Sequence, residues 1–343
     1  MILLFFVCCS IFAWIASALF VLTRSTKVRS RAVECASLIA RGSMKKAWKP
    51  FVRMDNMRSP LPTMTSLVSR SFLIAPLKLW GTLALLAISA SSALLLNRSG
   101  VAAVGRWVSR SILSTLGIHV VQIGKRAPSN VAPLLISNHV AAMDILALLS
   151  LGGCFVAKEA VKHLPGIGRV AASIGCIFVG RDSADSRSAA KESIAAMLKA
   201  KMTNASCTQN PLVIFPEGTT TNGFGLIEFR RGGFEAGVPI QPVRLDYSNL
   251  QYSMAMLDAL EHLCYMCVLP GCTLQVNYLP VINPEPGQTV ELVAKRCRDA
   301  LLKGTKLESY GLETHRDEVD LISFIERDIS TVGKGTLHMK KST

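Results

Sequence analysis

The chain has 343 residues, half of them hydrophobic and 18% charged, with a net charge of +15. That length suits one large domain or two small ones, and the composition is too apolar for an ordinary soluble enzyme. A nucleic-acid binder carries such charge on a polar face interleaved with aromatics; here aromatics are only 6% and the basic residues bunch together, which points to an anionic membrane surface and away from nucleic acid.

Residues 1–22 hold no charged side chain, close to the roughly 20 residues that cross a hydrocarbon core. No basic n-region of a cleaved signal precedes them, so a transmembrane anchor is expected over 1–23. A basic linker is expected over 24–70. It has eleven Lys and Arg against Glu34 and Asp55, nine of the fifteen net charges, and the positive-inside rule puts it in the cytosol. Pro60 and Pro62 suit a flexible segment, and a lipid-headgroup footprint is compatible with one. A second apolar stretch, 71–97, is charge-free from Leu79 onward. It either crosses the membrane or lies in one leaflet. Asn97-Arg98-Ser99 and Asn204-Ala205-Ser206 fit the glycosylation acceptor pattern, which is common by chance.

The folded domain is expected over 98–332. Val101, Val104, Trp107, Val108, Ile112 and Leu116 predict an amphipathic helix, and His119–Gly124 predicts a strand. The apolar run Ala132–Ile136 reads as a buried strand. It leads into Ser137-Asn138-His139 and then, through Asp144, into the apolar side of a helix, Ile145–Leu149. His139 and Asp144 thus fall where a strand turns into a helix, the end of a strand at which chemistry collects in open α/β folds. A carboxylate on one imidazole nitrogen fixes the tautomer and makes the other a better base. The same spacing, taken alone, is more often a structural hydrogen bond.

Further along, Gly153–Ala157 predicts a strand and Leu164–Gly168 a turn. Gly175–Arg181 predicts a strand, and Asp182-Ser183 caps a helix that runs through Ser188–Leu198. Arg181, at that strand's end, either grips a phosphate in bidentate fashion or pairs with Asp182 or Asp185. Pro211–Phe215 is a strand entering the loop Pro216–Gly223, which offers three hydroxyls, backbone amides and one carboxylate. Strand–helix alternation puts the His139, Arg181 and Glu217 strand ends on one edge of a parallel sheet. Arg230 and Arg231 form a basic pair suited to phosphate. Val238–Val243 is a strand bordered by Pro239 and Pro242. Met254–Leu269, interrupted by Asp258, Glu261 and His262, reads as an interfacial helix. A strand, Thr273–Pro280, and helices near 290–302 and 317–329 complete the domain.

Ten cysteines are scattered through apolar segments. Cys264 and Cys267 form a C-x-x-C, but no second pair follows at zinc spacing, so free thiols in a reducing compartment and no metal are expected. Cys8 and Cys9 lie near a membrane end, where acylation is undecided. The tail, 333–343, ends Lys340-Lys341-Ser342-Thr343, either an ordinary basic tail or the dilysine pattern that retrieves membrane proteins to the endoplasmic reticulum. The latter works only in the cytosol and so argues against a single crossing by 71–97.

Four ordered blocks then emerge: Asn138-His139 with Asp144; Gly175, Phe178 and Arg181; Phe215-Pro216-Glu217-Gly218-Thr219; and Val238-Pro239-Ile240 with Pro242. Together, over about residues 100–310, they resemble the glycerolipid/lysophospholipid acyltransferase family (the 1-acylglycerol-3-phosphate acyltransferase superfamily). The extended third block, FPEGTTTNG, and L-P-V-x-x-P at Leu279–Pro284 resemble its lysophosphatidylcholine/lysophosphatidylethanolamine branch. The calcium-binding loops of some members of that branch are not expected in a chain of this length. The resemblance implies an α/β fold, a mostly parallel sheet flanked by helices, with N-terminal membrane helices. It implies acyl transfer from acyl-CoA, as co-substrate, to the free hydroxyl of a lysophospholipid at a lipid bilayer, without cofactor or metal.

In that reading His139, held by Asp144, takes the acceptor's proton and no acyl-enzyme forms, because Ser137 is not in a nucleophile elbow. Arg181 meets the lysolipid phosphate. Glu217, Gly218 and Thr219 position the glycerol part, and Gly175, Phe178 and Pro239 belong to the same substrate-binding set. Lysophosphatidate or glycerol-3-phosphate as acceptor, a CoA-independent transacylase or hydrolase, and a non-catalytic scaffold are the alternatives. The intact motif set argues against the scaffold. Headgroup, acyl length and oligomeric state are not legible.

Overall fold

The computed structural model describes residues 2–52, 62–163, 167–179, 184–203 and 210–339. Arg181, the Asp182-Ser183 cap, Asn204-Ala205-Ser206 and the dilysine pair lie outside the described residues. In chain order the elements begin with three helices, α1 (Ile2–Ala40), α2 (Met64–Leu73) and α3 (Ala75–Leu95), and then α4 (Arg98–Thr115), β1 (Ile118–Ile123), β2 (Leu134–Ser137) and α5 (Met143–Ser150). There follow β3 (Cys154–Lys158), α6 (Glu159–Lys162), α7 (Ile167–Ser173), β4 (Ile177–Val179), α8 (Ala184–Thr203), β5 (Leu212–Ile214) and β6 (Gly225–Leu226). The remainder is β7 (Ile240–Tyr247), α9 (Ala259–Val268), β8 (Cys272–Tyr278), α10 (Val290–Leu302), β9 (Glu308–Ser309) and α11 (His315–Met339).

Seven strands form one sheet in the order β1-β8-β7-β2-β5-β3-β4. Only β7 and β8 pair antiparallel; every other pair is parallel. The fold is therefore α/β with a mostly parallel sheet flanked by helices, as the alternation of patterns predicts. Helices cover both faces, so the central strands are apolar on both sides. Leu135, Val213 and Val243 point into a core shared with α4, α5 and α9. Leu134, Ile136 and Leu212 point to the other face, against Leu198 of α8 and Val293 and Cys297 of α10. Short polar caps start the helices: the Asn97 side chain accepts from Gly100 N at 2.9 Å, Thr289 caps α10, and Asp258 with Glu261 forms a capping box on α9.

Two expectations change here. The described part of the 24–70 stretch, residues 24–52 and 62–70, is not a loose linker. Helix α1 continues to Ala40, and Ala18, Val21, Ser25, Val28, Ala32, Cys35 and Leu38 are buried on it at the steps of three and four that mark one helix face. Trp48, Phe51 and Val52 then pack with Leu321 and Ile325 of α11 in a third, smaller core. Arg24, Lys27 and Arg29 lie off this stripe while Arg31 is buried beside it, so counting charge hid the stripe. Nor is 254–269 an interfacial helix. Cys264, Tyr265, Met266, Cys267 and Val268 are wholly buried, because α1 and α3 lie over α9. The polar residues that seemed to interrupt it are its cap, an ion-pair partner and His262, whose Nε2 is 2.9 Å from Tyr252 O. Every described cysteine is a free thiol.

Two helices are long and apolar enough to cross a membrane by length and composition, Cys8–Ala40 and Ala75–Leu95. Helix α3 packs along its length: Ala75, Pro76, Leu79 and Thr82 are buried near one end, Ser92 and Ala93 near the other. Lys78 Nζ donates to Leu116 O at 3.2 Å and Leu269 O at 3.0 Å, at the C-terminal ends of α4 and α9, where cations are favoured. Its other face leaves Leu77, Trp80, Leu83, Leu86, Ile88 and Leu94 exposed.

Arg31 ties α1 to the domain. It is 5% exposed and donates to Glu261 at 2.7 Å, to Glu326 at 2.7 Å and to Met256 O at 3.0 Å. Replacing it leaves buried acceptors unpaired. Arg31→Ala is expected to cost about 3 kcal/mol, read by thermal unfolding of the full chain in detergent. Lys27→Ala, which removes the half-exposed neighbour on Glu261, is expected to cost less than about 1 kcal/mol.

Candidate active site

Strand β2 ends at Ser137, and the chain turns through Asn138–Ala142 before α5 begins. The turn is held by its own first residue. Asn138 Nδ2 donates to Leu245 O at 3.0 Å, and its Oδ1 accepts from Leu245 N at 2.8 Å. The side-chain amide thus extends the pairing of β2 with β7 by one step where the β2 backbone turns away. His139 follows, its side chain 16% exposed.

Asp144, in the first turn of α5, reaches back under the histidine and is fully buried. Its Oδ2 lies 2.9 Å from His139 Nδ1 and accepts from Val140 N at 2.6 Å and Ala141 N at 2.9 Å. Its Oδ1 accepts from the Tyr247 hydroxyl at 2.6 Å. Oδ2 already accepts from two backbone N–H groups and faces the imidazole as an acceptor too, so Nδ1 is the donor and Nε2 is left with its lone pair. Nε2 makes no hydrogen bond to a described residue. Phe215 stacks on the imidazole, centroids 4.1 Å apart and planes 14° from parallel, and Phe155 stacks behind Phe215. The ring is fixed by Asp144 at one edge and by Phe215 on one face.

The loop after β5 backs the same turn. Glu217 is 1% exposed. Its Oε1 accepts from His139 N at 2.8 Å and its Oε2 from Ile227 N at 3.3 Å. Burial pushes this carboxyl up to about 8, against the pull of those two N–H groups and of Arg298; the nearby Asp144 adds to the rise. Thr221 N donates to His139 O at 2.9 Å, so both backbone groups of the histidine are tied to one loop. Gly218, at φ +73°, is exposed beside them, and a Cβ there would sit 2.6 Å from Arg230 Nε. The Arg230 guanidinium therefore lies across the rim, while Arg231 pairs with Glu291 at 2.7 Å. Thr219 and Thr220 are half-buried on the same loop.

The predicted residues thus separate. His139 and Asp144 come together as the spacing implied, and Gly218 and Thr219 line the rim. Glu217 faces inward and braces the turn, each of its oxygens accepting from a backbone N–H. Pro239 is at the wrong edge. Because β7 runs parallel to β2 with Ile240 opposite Leu134, Pro239 sits at the N-terminal end, roughly 13 Å of strand from His139 at about 3.3 Å per residue. What the fourth block delivers to the site is the far end of β7, Leu245 and Tyr247. Gly175 makes the left-handed turn into β4 at φ +86°. Phe178 is half-buried on β4, with β5 and β3 between it and β2.

Several residues at the site have roles that no sequence pattern shows. Asn222 donates to Lys49 O at 2.8 Å and Val52 O at 3.0 Å, and its backbone N donates to Pro50 O at 2.7 Å. The FPEGTTTNG loop is thereby buttressed by the segment after α1. Met254 N donates to Val140 O at 2.8 Å. Two residues on, Met256 adopts φ +65°, costly for a side-chain-bearing residue, and is held there by Arg31 at its carbonyl and Glu318 at its amide, 2.7 Å away.

Glu217 gives a pH signature. Its carboxyl rises from an ordinary 4.5 to about 8 on folding, so the native state binds the extra proton. Stability from this group is full below about 4.5 and is lost as pH climbs through about 8. Unfolding temperatures of the wild type are expected to fall across that window, and Glu217→Gln, which cannot ionise, is expected to flatten the slope.

A sequence model of the acyltransferase family matches residues 119–246, the span from β1 to the penultimate residue of β7. The chain is 36% identical over 190 residues to lysophospholipid acyltransferase LPEAT2 of Arabidopsis thaliana, covering 54% of this chain and 34% of that protein. It is 30% identical over 204 residues to human (Homo sapiens) lysophosphatidylcholine acyltransferase 2, covering 57% and 37%. The chain therefore spans little more than a third of the length of these relatives. Among solved structures it is similar to the 1-acyl-sn-glycerophosphate acyltransferase PlsC of Thermotoga maritima, with 17% identity, a TM-score of 0.49 and coverage of 69% of this chain and 95% of that one. The His139–Asp144 pair and the Phe215–Thr219 loop both lie inside the span that matches the acyltransferase family model.

Proposed function

We propose that this protein transfers an acyl group from acyl-CoA to the free hydroxyl of a lysophospholipid at a membrane surface. The observation that carries the reading is the state of His139, with Nδ1 bonded to a buried carboxylate and Nε2 without a hydrogen-bond partner among the described residues. That is the arrangement of a general base. The lysophospholipid acyltransferases to which the chain is similar support this substrate class. The acceptor hydroxyl gives its proton to Nε2 while its oxygen attacks the thioester carbonyl. As the C–S bond breaks, the proton passes from Nε2 to the departing sulfur. Asp144 stabilises the imidazolium between these steps. The chemistry asks for no cofactor and no metal.

Arg230, exposed across Gly218, is the cation we assign to a substrate phosphate at the rim, with Arg181 as a second. The apolar faces of α1 and α3 are the bilayer contact. Helix α3 is packed on the domain at both ends and pinned by Lys78, so we take it to lie in one leaflet, with the catalytic domain on the cytosolic side and the protein in the endoplasmic reticulum. Asn97 is consistent with that side, because its side chain is committed to capping α4.

His139→Ala is expected to lower kcat by about 10²- to 10⁴-fold while the protein still sediments with membranes; appreciable acyl-CoA-dependent turnover by this variant would sink the mechanism. An acceptor panel with one labelled acyl-CoA and lysolipids of different headgroups tests the substrate class. Turnover restricted to lysophosphatidate or glycerol-3-phosphate, or turnover without acyl-CoA, would replace the reading. Arg230→Ala is expected to raise KM for a phosphate-bearing substrate roughly 10-fold, the effect of losing a charge-assisted hydrogen bond, with kcat nearly unchanged.

A further inference from the structure

Tyr247 closes β7, and its ring is 7% exposed. Val243, Leu245 and Tyr247 share one face of the strand, the face that packs with α4, α5 and α9. Asn138 fixes the register of this strand under the catalytic turn through Leu245. Two residues later the same strand presents the Tyr247 hydroxyl 2.6 Å from Asp144 Oδ1. The two carboxylate oxygens therefore have different surroundings. Oδ2 is filled by the turn that it sits in: His139 Nδ1, Val140 N and Ala141 N. Oδ1 has one hydrogen-bond donor among the described residues, and it arrives from a strand 103 residues away.

The remaining ionisable neighbours do not compete for that contact. Glu217 on the loop after β5 is close enough to Asp144 to be raised by it. Cys272 on β8 and Tyr252, in the segment after β7, face Tyr247, and they and Asp144 act on it in the same direction as burial. The phenol is held well above its usual range and stays protonated, so it is a donor over any practical pH. A neutral donor on the second oxygen of a buried carboxylate stops the group from rotating about its Cβ–Cγ bond. It also lowers the carboxylate's own pull on the Nδ1 proton.

We propose that Tyr247 is a positioning residue for His139: its O–H holds Asp144 Oδ1, which fixes the carboxylate plane and tempers the basicity that Asp144 confers on the imidazole. The inference rests on the acyl-transfer reading for its kinetic consequence only. The Tyr247 proton does not move. In the reaction, the acceptor's proton goes to His139 Nε2 and on to the thiolate, one C–O bond forms and one C–S bond breaks.

The test follows the His139 titration by NMR of the imidazole Cε1–H in the full chain in micelles, assigned by comparison with a His139→Gln spectrum, alongside steady-state kinetics over the same pH range. Tyr247→Phe keeps the ring and removes the donor. His139 is expected to titrate about half a pH unit higher, the acid limb of kcat/KM to move with it, and kcat to fall roughly 10-fold with KM within about twofold. Substituting a fluorotyrosine at 247 strengthens the donor without deleting it, and is expected to move the titration the other way. If His139 titrates as in the wild type in both folded variants, or if kcat falls only in proportion to lost folded protein with the acid limb unmoved, the positioning role is overturned. If the titration moves as expected but the wild type turns over no acyl-CoA and lysolipid pair, the acyl-transfer reading fails, and the control of His139 by Tyr247 is upheld.

Discussion

A fully buried carboxylate needs partners, and Asp144 obtains them from two separate parts of the chain, the turn just before it and strand β7. Its own turn supplies two backbone N–H groups, His139 supplies Nδ1, and β7 supplies a phenol. Leaving one such group unpaired in the interior costs more than most single contacts contribute. The pairing therefore dictates geometry well beyond itself. Strand β7 must run next to β2, in a register that puts Tyr247 beyond the turn, and the imidazole must lie in the plane that Asp144 and Phe215 leave open. The open Nε2 edge of the imidazole is a by-product of satisfying a buried carboxyl group.

Around that centre, backbone groups are held as carefully as side chains. The amide of His139 binds Glu217, its carbonyl binds Thr221, and the carbonyl of Val140 binds Met254. Each tie leads outward. Through Thr221 and Asn222 the catalytic loop reaches residues 49–52; through Met254 and Met256 it reaches Arg31 on α1 and Glu318 on α11. The helix whose first residues are apolar enough for a membrane is thus continuous with the scaffold of the site. Its basic residues do two jobs, some solvated and one buried in an ion-pair network.

How far the sequence could be read depended on whether a residue's role was local. The His139–Asp144 pair is five residues apart on a strand–turn–helix, so spacing alone brought it together. The strand ends of β2 and β5 followed from alternation. Glu217 was visible as a residue of interest but not in its role, because whether a carboxylate faces the cleft or the core depends on which N–H groups surround it, and Ile227 and His139 come from different loops. Pro239 was misplaced because a motif marks a strand without saying which of its ends reaches the site. The interfacial reading of 254–269 failed for a related reason. An apolar helix with a few charges looks the same from its sequence whether lipid or other helices cover it.

The sequence by itself determined the local elements, the order of the strands' chemistry along the chain, the two apolar helices and the histidine–aspartate pair. These depend on periodicity, capping and spacing over a few residues, which backbone geometry converts directly into structure. Only the tertiary fold decided that Tyr247 completes Asp144, that Asn138 clamps Leu245, that Glu217 turns inward and that Arg31 on the first helix steadies the strained Met256. Those contacts join residues from 78 to 225 positions apart. No local pattern encodes them, because they are selected by the requirement that every buried polar group find a partner once the sheet has closed around it.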